Sequence, residues 1–412
     1  EQKKFSREEI LGIWRAPKAL FNITEDLNYA CIVEGERVYT INGPKKVEDV
    51  RSGDIVFTFG EKGQEERTVI NSWRQGDKES YELKTNNRAI KTSYDHPILC
   101  LERDFEPQNK YPFFKGKGNL VYKRMEDISV GDYVVVSDGI FSEGKKYSKE
   151  FAEFVGAFIG DGCFQNCGRS VSLAIQKSQQ ILRDRYSDIA KKEFKYKKSN
   201  FVGNEIKASS NDVQISFAGD CAERLKEAGC VQGSKNKRVP SWVFESSRDI
   251  QLSFLRGYAD TDGSLQKRGN LVIGCANKDL AIDIACLCDY LGIRRTNIAE
   301  EIRVTNYSDE SFCYRFSITY PDQIECIKNA DRLNGRKDKG HKIGTLTTAL
   351  KCLPEGFHVE RVKKITPIGI KTVYDLEVDG RHNFVCNGIV VHNTFIGQMK
   401  IFWSYAIMPV MR

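Results

Sequence analysis

The chain has 412 residues, of which 40% are hydrophobic and 29% charged, enough apolar material for two or three cored domains and too much for a disordered polymer. Its longest apolar runs, such as Tyr133-Val134-Val135-Val136, are far too short to span a bilayer, so no membrane partner is expected. A formal charge of +7 permits nucleic-acid binding without demanding it. Thirteen cysteines with no CxxC pair argue against a disulfide framework or a zinc site and for a reducing, cytoplasmic setting.

Taken in order, residues 1–30 contain a helical start, with Ser6 as N-cap and Glu9 three residues on, and end at Asn28-Tyr29-Ala30. Residues 394–412 are apolar and aromatic. Neither flank is large enough to fold alone, and together they read as two pieces of one interrupted protein. The chain opens on Glu1 with no signal peptide, as a segment excised from a longer protein would.

Residues 31–140 change character, to short β-rich runs between turn signals at Asn42-Gly43, Ser52-Gly53-Asp54 and Gly131-Asp132. The segment 47–56 returns as 125–134, an offset of 78 residues, which predicts two similar β subdomains. Residues 141–355 carry a sharper repeat. Phe154 to Gly162, helix-like with small residues spaced for close contact and a terminal Gly as C-cap, recurs 101 residues later as Leu255 to Gly263. Lys177 matches Lys278 in the same frame, and a β-rich stretch and a longer helical pattern follow each copy. Residues 356–393 return to β character, with runs at 362–368, 372–378 and 383–391. The expected layout is a β module of 31–140 completed by 356–393, with a duplicated α/β unit inserted in a surface loop.

Chemistry gathers at the module's two ends. A Cys31 thiol attacking the preceding carbonyl would convert the Ala30–Cys31 amide into a thioester, covalent catalysis turned on the chain's own backbone. That step needs a proton donor for the departing amine, and Ser93-Tyr94-Asp95-His96-Pro97 offers a hydroxyl and an imidazole three residues apart. At the other end, Gly388-Ile389-Val390-Val391-His392-Asn393-Thr394 reads as a self-cleaving junction. The Asn393 amide can attack its own carbonyl, close a succinimide and expel Thr394, with His392 moving the protons.

On these residues the chain resembles an intein carrying a LAGLIDADG homing endonuclease, still between its two extein flanks. The blocks are Cys31 to Thr40, Ile90 to Pro97, Val373 to Val378 and His382-Asn383-Phe384, closing at His392-Asn393. Three of the chain's five histidines fall in them. The resemblance implies an all-β horseshoe of the Hint splicing type with an inserted, duplicated αββαββα endonuclease. It implies that Cys31 makes the N-to-S acyl shift, helped by His96 and oriented by Ser93. Thr394 then attacks the thioester, Asp375 steers protons between these steps, and Asn393 cyclises with His392 and His382 assisting. The family has Thr three residues before the histidine; here Ser93 stands there with Thr92 beside it, so either hydroxyl could orient the amide. Thr394, a secondary alcohol, is a slower nucleophile than a thiol and makes the second step the expected bottleneck.

For the inserted unit, helices packed through Gly156 and Gly257 would bring Asp161 and Asp262 together at their negative C-terminal ends, where two carboxylates call for a divalent cation. By resemblance these acids hold Mg²⁺, Lys177 and Lys278 are the catalytic lysines, and double-stranded DNA is the substrate of a monomeric enzyme. The basic runs Lys191 to Lys198 and Lys235-Asn236-Lys237-Arg238 would meet phosphates. The flanks resemble a tailed-phage portal protein. Rival readings are a domain that cleaves without ligating, an intron maturase and a purely structural portal segment; the first leaves Thr394 without a role and the second leaves Cys31 without one.

Overall fold

A computed structural model describes residues 31–102, 118–140, 143–176, 178–195, 204–208, 212–266, 269–305, 308–320, 323–324, 327 and 353–393. The helical start at Ser6, both flanks, Thr394, Lys177 and the end of the 191–198 basic run lie outside them.

The first module is built of strands β1 (Ile32–Val33), β2 (Arg37–Thr40), β3 (Gly43–Lys46), β4 (Ile55–Gly60), β5 (Gly63–Lys84), β6 (Ala89–Ser93), β7 (Pro97–Glu102), β8 (Asn119–Arg124) and β9 (Tyr133–Ser137). After the insertion come β18 (Phe357–Arg361), β19 (Lys364–Val378), β20 (Asn383–Cys386) and β21 (Ile389–His392). All thirteen join one sheet, with the order β18-β9-β7-β21-β20-β2-β4-β5-β19-β1-β6 and β3 and β8 at its sides. The alternating Val, Ile and Leu positions explain the pairing. Val38, Val56, Val69, Leu83, Ile98, Val134, Val136, Leu376 and Val391 all face one buried cluster. The runs expected at 362–368 and 372–378 are one strand, β19, because its partner β5 is long enough to pair across the gap, with irregularities at Pro367/Gly369 and Val373/Tyr374.

The repeat of 47–56 in 125–134 is two copies of one turn. Val47–Asp49 and Met125–Asp127 each form a 3₁₀ turn after an extended basic residue. Asp54 accepts from the Arg51 N–H at 2.9 Å, and Asp132 from the Ser129 N–H at 3.1 Å. Gly53 and Gly131 follow with φ of 92° and 109°, where any other residue would be strained. Their N–H groups donate to Val69 and Val362, both at 2.9 Å. The sequence repeat thus marks the same turn built twice in one sheet.

The insertion leaves from β9 and returns at β18, and these strands pair directly, Ser137 opposite Phe357. Between them run α1 (Lys149–Asp161), β10 (Gly162–Gln165), β11 (Ser170–Gln176), α2 (Gln180–Glu193), β12 (Asn204–Ala208), β13 (Asp212–Phe217), α3 (Cys221–Glu227) and α4 (Ser241–Phe244). The second half holds α5 (Arg248–Asp262), β14 (Gly263–Leu265), β15 (Leu271–Cys275), α6 (Lys278–Tyr290), β16 (Ala299–Thr305) and β17 (Ser308–Ile318). Each half has its own antiparallel sheet, ordered β10-β11-β13-β12 and β14-β15-β17-β16.

Helices α1 and α5 meet where neither has a side chain. A Cβ on Gly156 would stand 2.0 Å from the Phe254 carbonyl oxygen, and one on Gly257 1.9 Å from that of Glu153. Only glycine permits such an approach. Gly162 and Gly263 do end the helices, but with φ of −89° and −94° rather than in the left-handed form expected of a C-cap. Each helix turns straight into a strand, and glycine is needed because a Cβ at 162 would strike the Phe158 backbone at 2.6 Å. Tyr39, Phe57, Phe244 and Tyr290 carry the apolar core across from the β module into the insertion.

Candidate functional site

Cys31 immediately precedes β1, which is clamped between β19 and β6, with Ile32 facing Tyr374 on one side and Thr92 on the other. This clamp fixes the Cys31 backbone. The Cys31 N–H donates to Ser93 Oγ at 3.0 Å, the Ser93 N–H donates to the Cys31 carbonyl at 2.9 Å, and the Ser93 hydroxyl donates to that carbonyl at 3.3 Å. The nitrogen so held is the one a thiol attack on residue 30 would expel. Thr92 instead donates to the Ser93 carbonyl at 3.1 Å, so of the two hydroxyls it is Ser93 that reaches the amide.

His96 is fully buried in the turn joining β6 to β7. Its N–H donates to the Ser93 carbonyl at 3.2 Å and its carbonyl accepts from the Met125 N–H at 2.9 Å. Asp375 is buried on β19 next to Tyr374, and its Oδ1 accepts from the Leu376 N–H at 2.8 Å. Burial pushes the Cys31 thiol well up, Asp375 and Asp95 add to this, and Lys78 opposes it. The resting group is therefore a thiol, and its attack needs a nearby proton acceptor. Asp95, in the turn after β6, and Lys78, on β5, are paired at 3.2 Å and were not among the residues expected from the sequence, where an acid and a base 17 residues apart look like ordinary surface charge.

The other end lies on β21, between β20 and β7, with His392 opposite Asn383 and Val391 opposite Ile98. The Asn393 N–H donates to the His382 carbonyl at 3.1 Å. Its side chain is buried, and neither amide atom makes a hydrogen bond among the described residues. A buried amide without a partner carries a desolvation cost. His392 packs edge-on against Tyr122, ring centres 4.8 Å apart, and its ring stands 6.1 Å from that of His382. Burial pulls the His392 pKa down, a hydrogen bond to the Asn393 backbone holds it up, and His382 lowers it again. By contrast His358 is tied to Glu360 and Asp138, away from either junction.

The sheet order brings the two ends into one neighbourhood. β6 pairs with the N-terminal strand β1, β7 pairs with the C-terminal strand β21, and the turn between β6 and β7 carries His96.

In the insertion, Asp161 and Asp262 end α1 and α5. Asp262 is held well above the usual carboxylate range by burial first and then by Asp161, while Lys237 works the other way. Lys237 is 4% exposed. Its Nζ donates to the carbonyls of Phe158, Gly160 and Gly162 at 2.9, 2.9 and 2.8 Å, capping the last turn of α1 with a positive charge. Burial lowers its pKa, against the pull of Asp262 and Asp161.

This corrects the expected phosphate-facing patch at 235–238. Lys237 is turned inward, and Arg238 is occupied by Asp283, at 2.6 and 2.8 Å. No sequence signal separated Lys237 from its basic neighbours. Lys278 opens α6 with its ammonium 6.0 Å from the Tyr314 ring, and Lys237, among the described residues, interacts with both acids of the pair. Among the described residues no three His, Cys, Asp or Glu gather as a metal set. The donors at hand are two carboxylates and backbone carbonyls.

The chain is 24% identical over 394 residues to an iron-sulfur cluster assembly SufBD family protein of Mycobacterium leprae, covering 86% of this chain and 43% of that protein. It is 27% identical over 206 residues to the replication factor C small subunit of Methanocaldococcus jannaschii, covering 49% of this chain and 10% of that one. The chain therefore spans less than half the length of these relatives. A DnaB intein from Synechocystis superposes with a TM-score of 0.29 at 11% identity, covering 89% of this chain and 99% of that one. The model of the intein splicing domain matches residues 20–393, from before Cys31 to Asn393 itself. The chain belongs to the intein splicing domain family, whose members excise themselves autocatalytically.

Proposed function

We propose that residues 31–393 splice themselves out as follows. The Cys31 thiol attacks the Ala30 carbonyl; its proton passes to Asp375, and His96 protonates the Cys31 nitrogen as the C–N bond breaks, leaving a thioester and a free amine. The Ser93 hydroxyl holds that nitrogen in line. The Thr394 hydroxyl displaces the thiol, giving an ester branched at Thr394 and returning the thiol to Cys31. The Asn393 side-chain nitrogen then attacks its own carbonyl, which His392 polarises, and the Thr394 amine leaves with a proton relayed through His392 and His382. The freed ester rearranges to an Ala30–Thr394 amide. Holding the reactants in place supplies most of the acceleration, with effective molarities of about 10⁵ M or more. The observation that carries this reading is the convergence of the buried Cys31 and Asn393 on strands joined through the His96 turn. A Cys31→Ala chain should still release residues 394–412 but never ligate; ligation by that variant would refute the assignment.

For the insertion we favour a duplex-DNA endonuclease of the LAGLIDADG type acting as a monomer. Supporting it are the glycine-to-glycine contact of α1 and α5 and the cluster of Asp161, Asp262 and Lys237 at their ends. Two carboxylates suit Mg²⁺, which commonly takes one or two acids and completes its shell with water and phosphate. Bound there, the ion would activate water and neutralise the leaving oxygen. Asp161 and Asp262 would hold it, Lys237 would keep the α1 terminus closed, and a cation there would relieve the repulsion that holds the Asp262 proton. Mg²⁺-dependent cutting of duplexes carrying the uninterrupted host sequence, lost in Asp161→Asn and Asp262→Asn, is the expected result. Unchanged cutting by both variants would remove the acids from the site. A portal-like host for the flanks is part of the same proposal, and the sequence of the ligated product tests it.

A further inference from the structure

The C-terminal splice strand is steered by one tight turn. Asn387 and Gly388 alone join β20 to β21, with φ of 47° and 77°. Buried side chains hold that turn from two sides. The Asn387 amide donates to Glu36 at 2.6 Å and to the Ala89 carbonyl at 3.0 Å, and accepts from the Arg37 N–H at 2.9 Å. On the other side a Cβ at Gly388 would stand 2.3 Å from Arg88 Nε, so the guanidinium rests on the turn's backbone. Ser137 completes the grip. Its carbonyl accepts from Arg88 at 2.9 Å and its N–H donates to the Gly388 carbonyl at 2.8 Å. Four residues further on is His392.

Arg88 is 3% exposed, and a buried cation needs counter-charge. One partner, Glu360, belongs to the β module. The other, Asp289 at 3.7 Å, belongs to α6 of the insertion. Asp289 also accepts from the Tyr39 hydroxyl at 2.7 Å and from Arg295 at 2.8 Å, and Arg295 reaches back to the Asn87 carbonyl at 3.2 Å, next to Arg88. A passively tolerated insertion needs only adjacent ends, which the β9–β18 pairing already gives. Completing an ion network beneath the splice turn goes beyond that.

We propose that Asp289 is a positioning residue for Asn393 cyclisation, acting through Arg88, so that the inserted unit sets the geometry of the C-terminal splice junction. The proposal rests on the splicing reading above. With Asp289 neutralised, Arg88 keeps Glu360 as its one counter-charge beside the Ser137 carbonyl and shifts on the turn, and the Asn393 amide loses its attack geometry. Cys31 is held through Ser93, at the far end of β6 from Arg88, and through β19, so the effect falls mainly on Asn393.

The test uses the full chain in two backgrounds. With Cys31→Ala, release of residues 394–412 reports cyclisation alone. With Asn393→Ala, dithiothreitol release of residues 1–30 reports the Cys31 step alone. Asp289→Asn should slow cyclisation about tenfold or more, since a small misplacement of reacting groups can cost about 100-fold. Thiol release should stay within about twofold, as expected for distant sites. Asp289→Glu should restore most of the rate, and Tyr39→Phe, which removes a single hydroxyl, should shift cyclisation in the same direction by less. Unchanged cyclisation in Asp289→Asn, or equal losses in both steps, would overturn the proposal. Absence of thiol release from the parent would instead overturn the splicing reading, and the two failures are distinguishable.

Discussion

At the residue scale, the proposed splicing path rests on a hydroxyl at its N-terminal junction and on an imidazole at its C-terminal one. Ser93 Oγ is 3.0 Å from the nitrogen that must leave, whereas the adjacent Thr92 is spent on a backbone carbonyl. Ser93→Ala should therefore cut dithiothreitol-induced release at Cys31 by about 100- to 1,000-fold, the usual range for one preorganised polar group. Thr92→Val should cost about 1 kcal/mol of stability and leave that rate near the parent's. The reverse order in thiolysis assays would reassign the role. The pH response of the other end follows from His392. Burial lowers its pKa below the ordinary 6.5, so the ring is neutral above neutrality and gains a proton as pH falls. If the ring donates to the Asn393 carbonyl, cyclisation in a Cys31→Ala chain rises about tenfold per unit of falling pH, and levels off once the ring is charged. A rate rising with pH would make His392 a base instead. The roles proposed for Cys31, Ser93, His96, His392 and Asn393 can be proposed from sequence because each sits at a module edge or in a short block. Lys237, Lys78 and Asp95 were not legible in that way. Their importance comes from burial and from partners on other strands, and a lysine in a basic run looks the same whether it faces water or three carbonyls.

At the element scale, both repeats were legible for the same reason: a turn or helix contact that tolerates few residues leaves a repeated string. The Gly-Asp pairs at 53–54 and 131–132 mark two turns with the same hydrogen bonds, and Gly156 and Gly257 mark a contact that excludes side chains. The long β5–β19 ribbon was harder to read. Its middle lies away from the core, with Ile70 and Ile370 exposed at 47% and 73%, so no alternation announces one strand rather than two. The helix contact gives a direct expectation. Gly257→Ala drives a methyl into the Glu153 carbonyl, and overpacking of this kind costs about 1–3 kcal/mol. Thermal unfolding should start earlier in that variant; an unchanged curve would mean that α1 and α5 can separate freely.

At the scale of the whole molecule, the β module and the insertion share one apolar cluster. The insertion departs and returns between paired strands, which keeps the splicing sheet closed, and the aromatic contact of Tyr39 with Tyr290, ring centres 5.1 Å apart, joins the two units. Buried charges at that seam are ordered by pairing. Burial works against the Glu360 carboxylate, but Arg88 beside it prevails and holds it well below the usual carboxylate range. A sheet that closes without its insertion and a seam that ties the insertion to the splice turn are compatible, since the first concerns folding and the second the placement of one strand. The central claim remains that Cys31 and Asn393 bound a segment that removes itself. Intact mass of the expressed chain over time, beside Cys31→Ala and Asn393→Ala versions, tests it most directly. The account expects a free fragment of residues 31–393 and a ligated product of residues 1–30 joined to 394–412 from the parent, and no ligated product from either variant. Cleaved flanks without ligation, or ligation that survives either substitution, would contradict it.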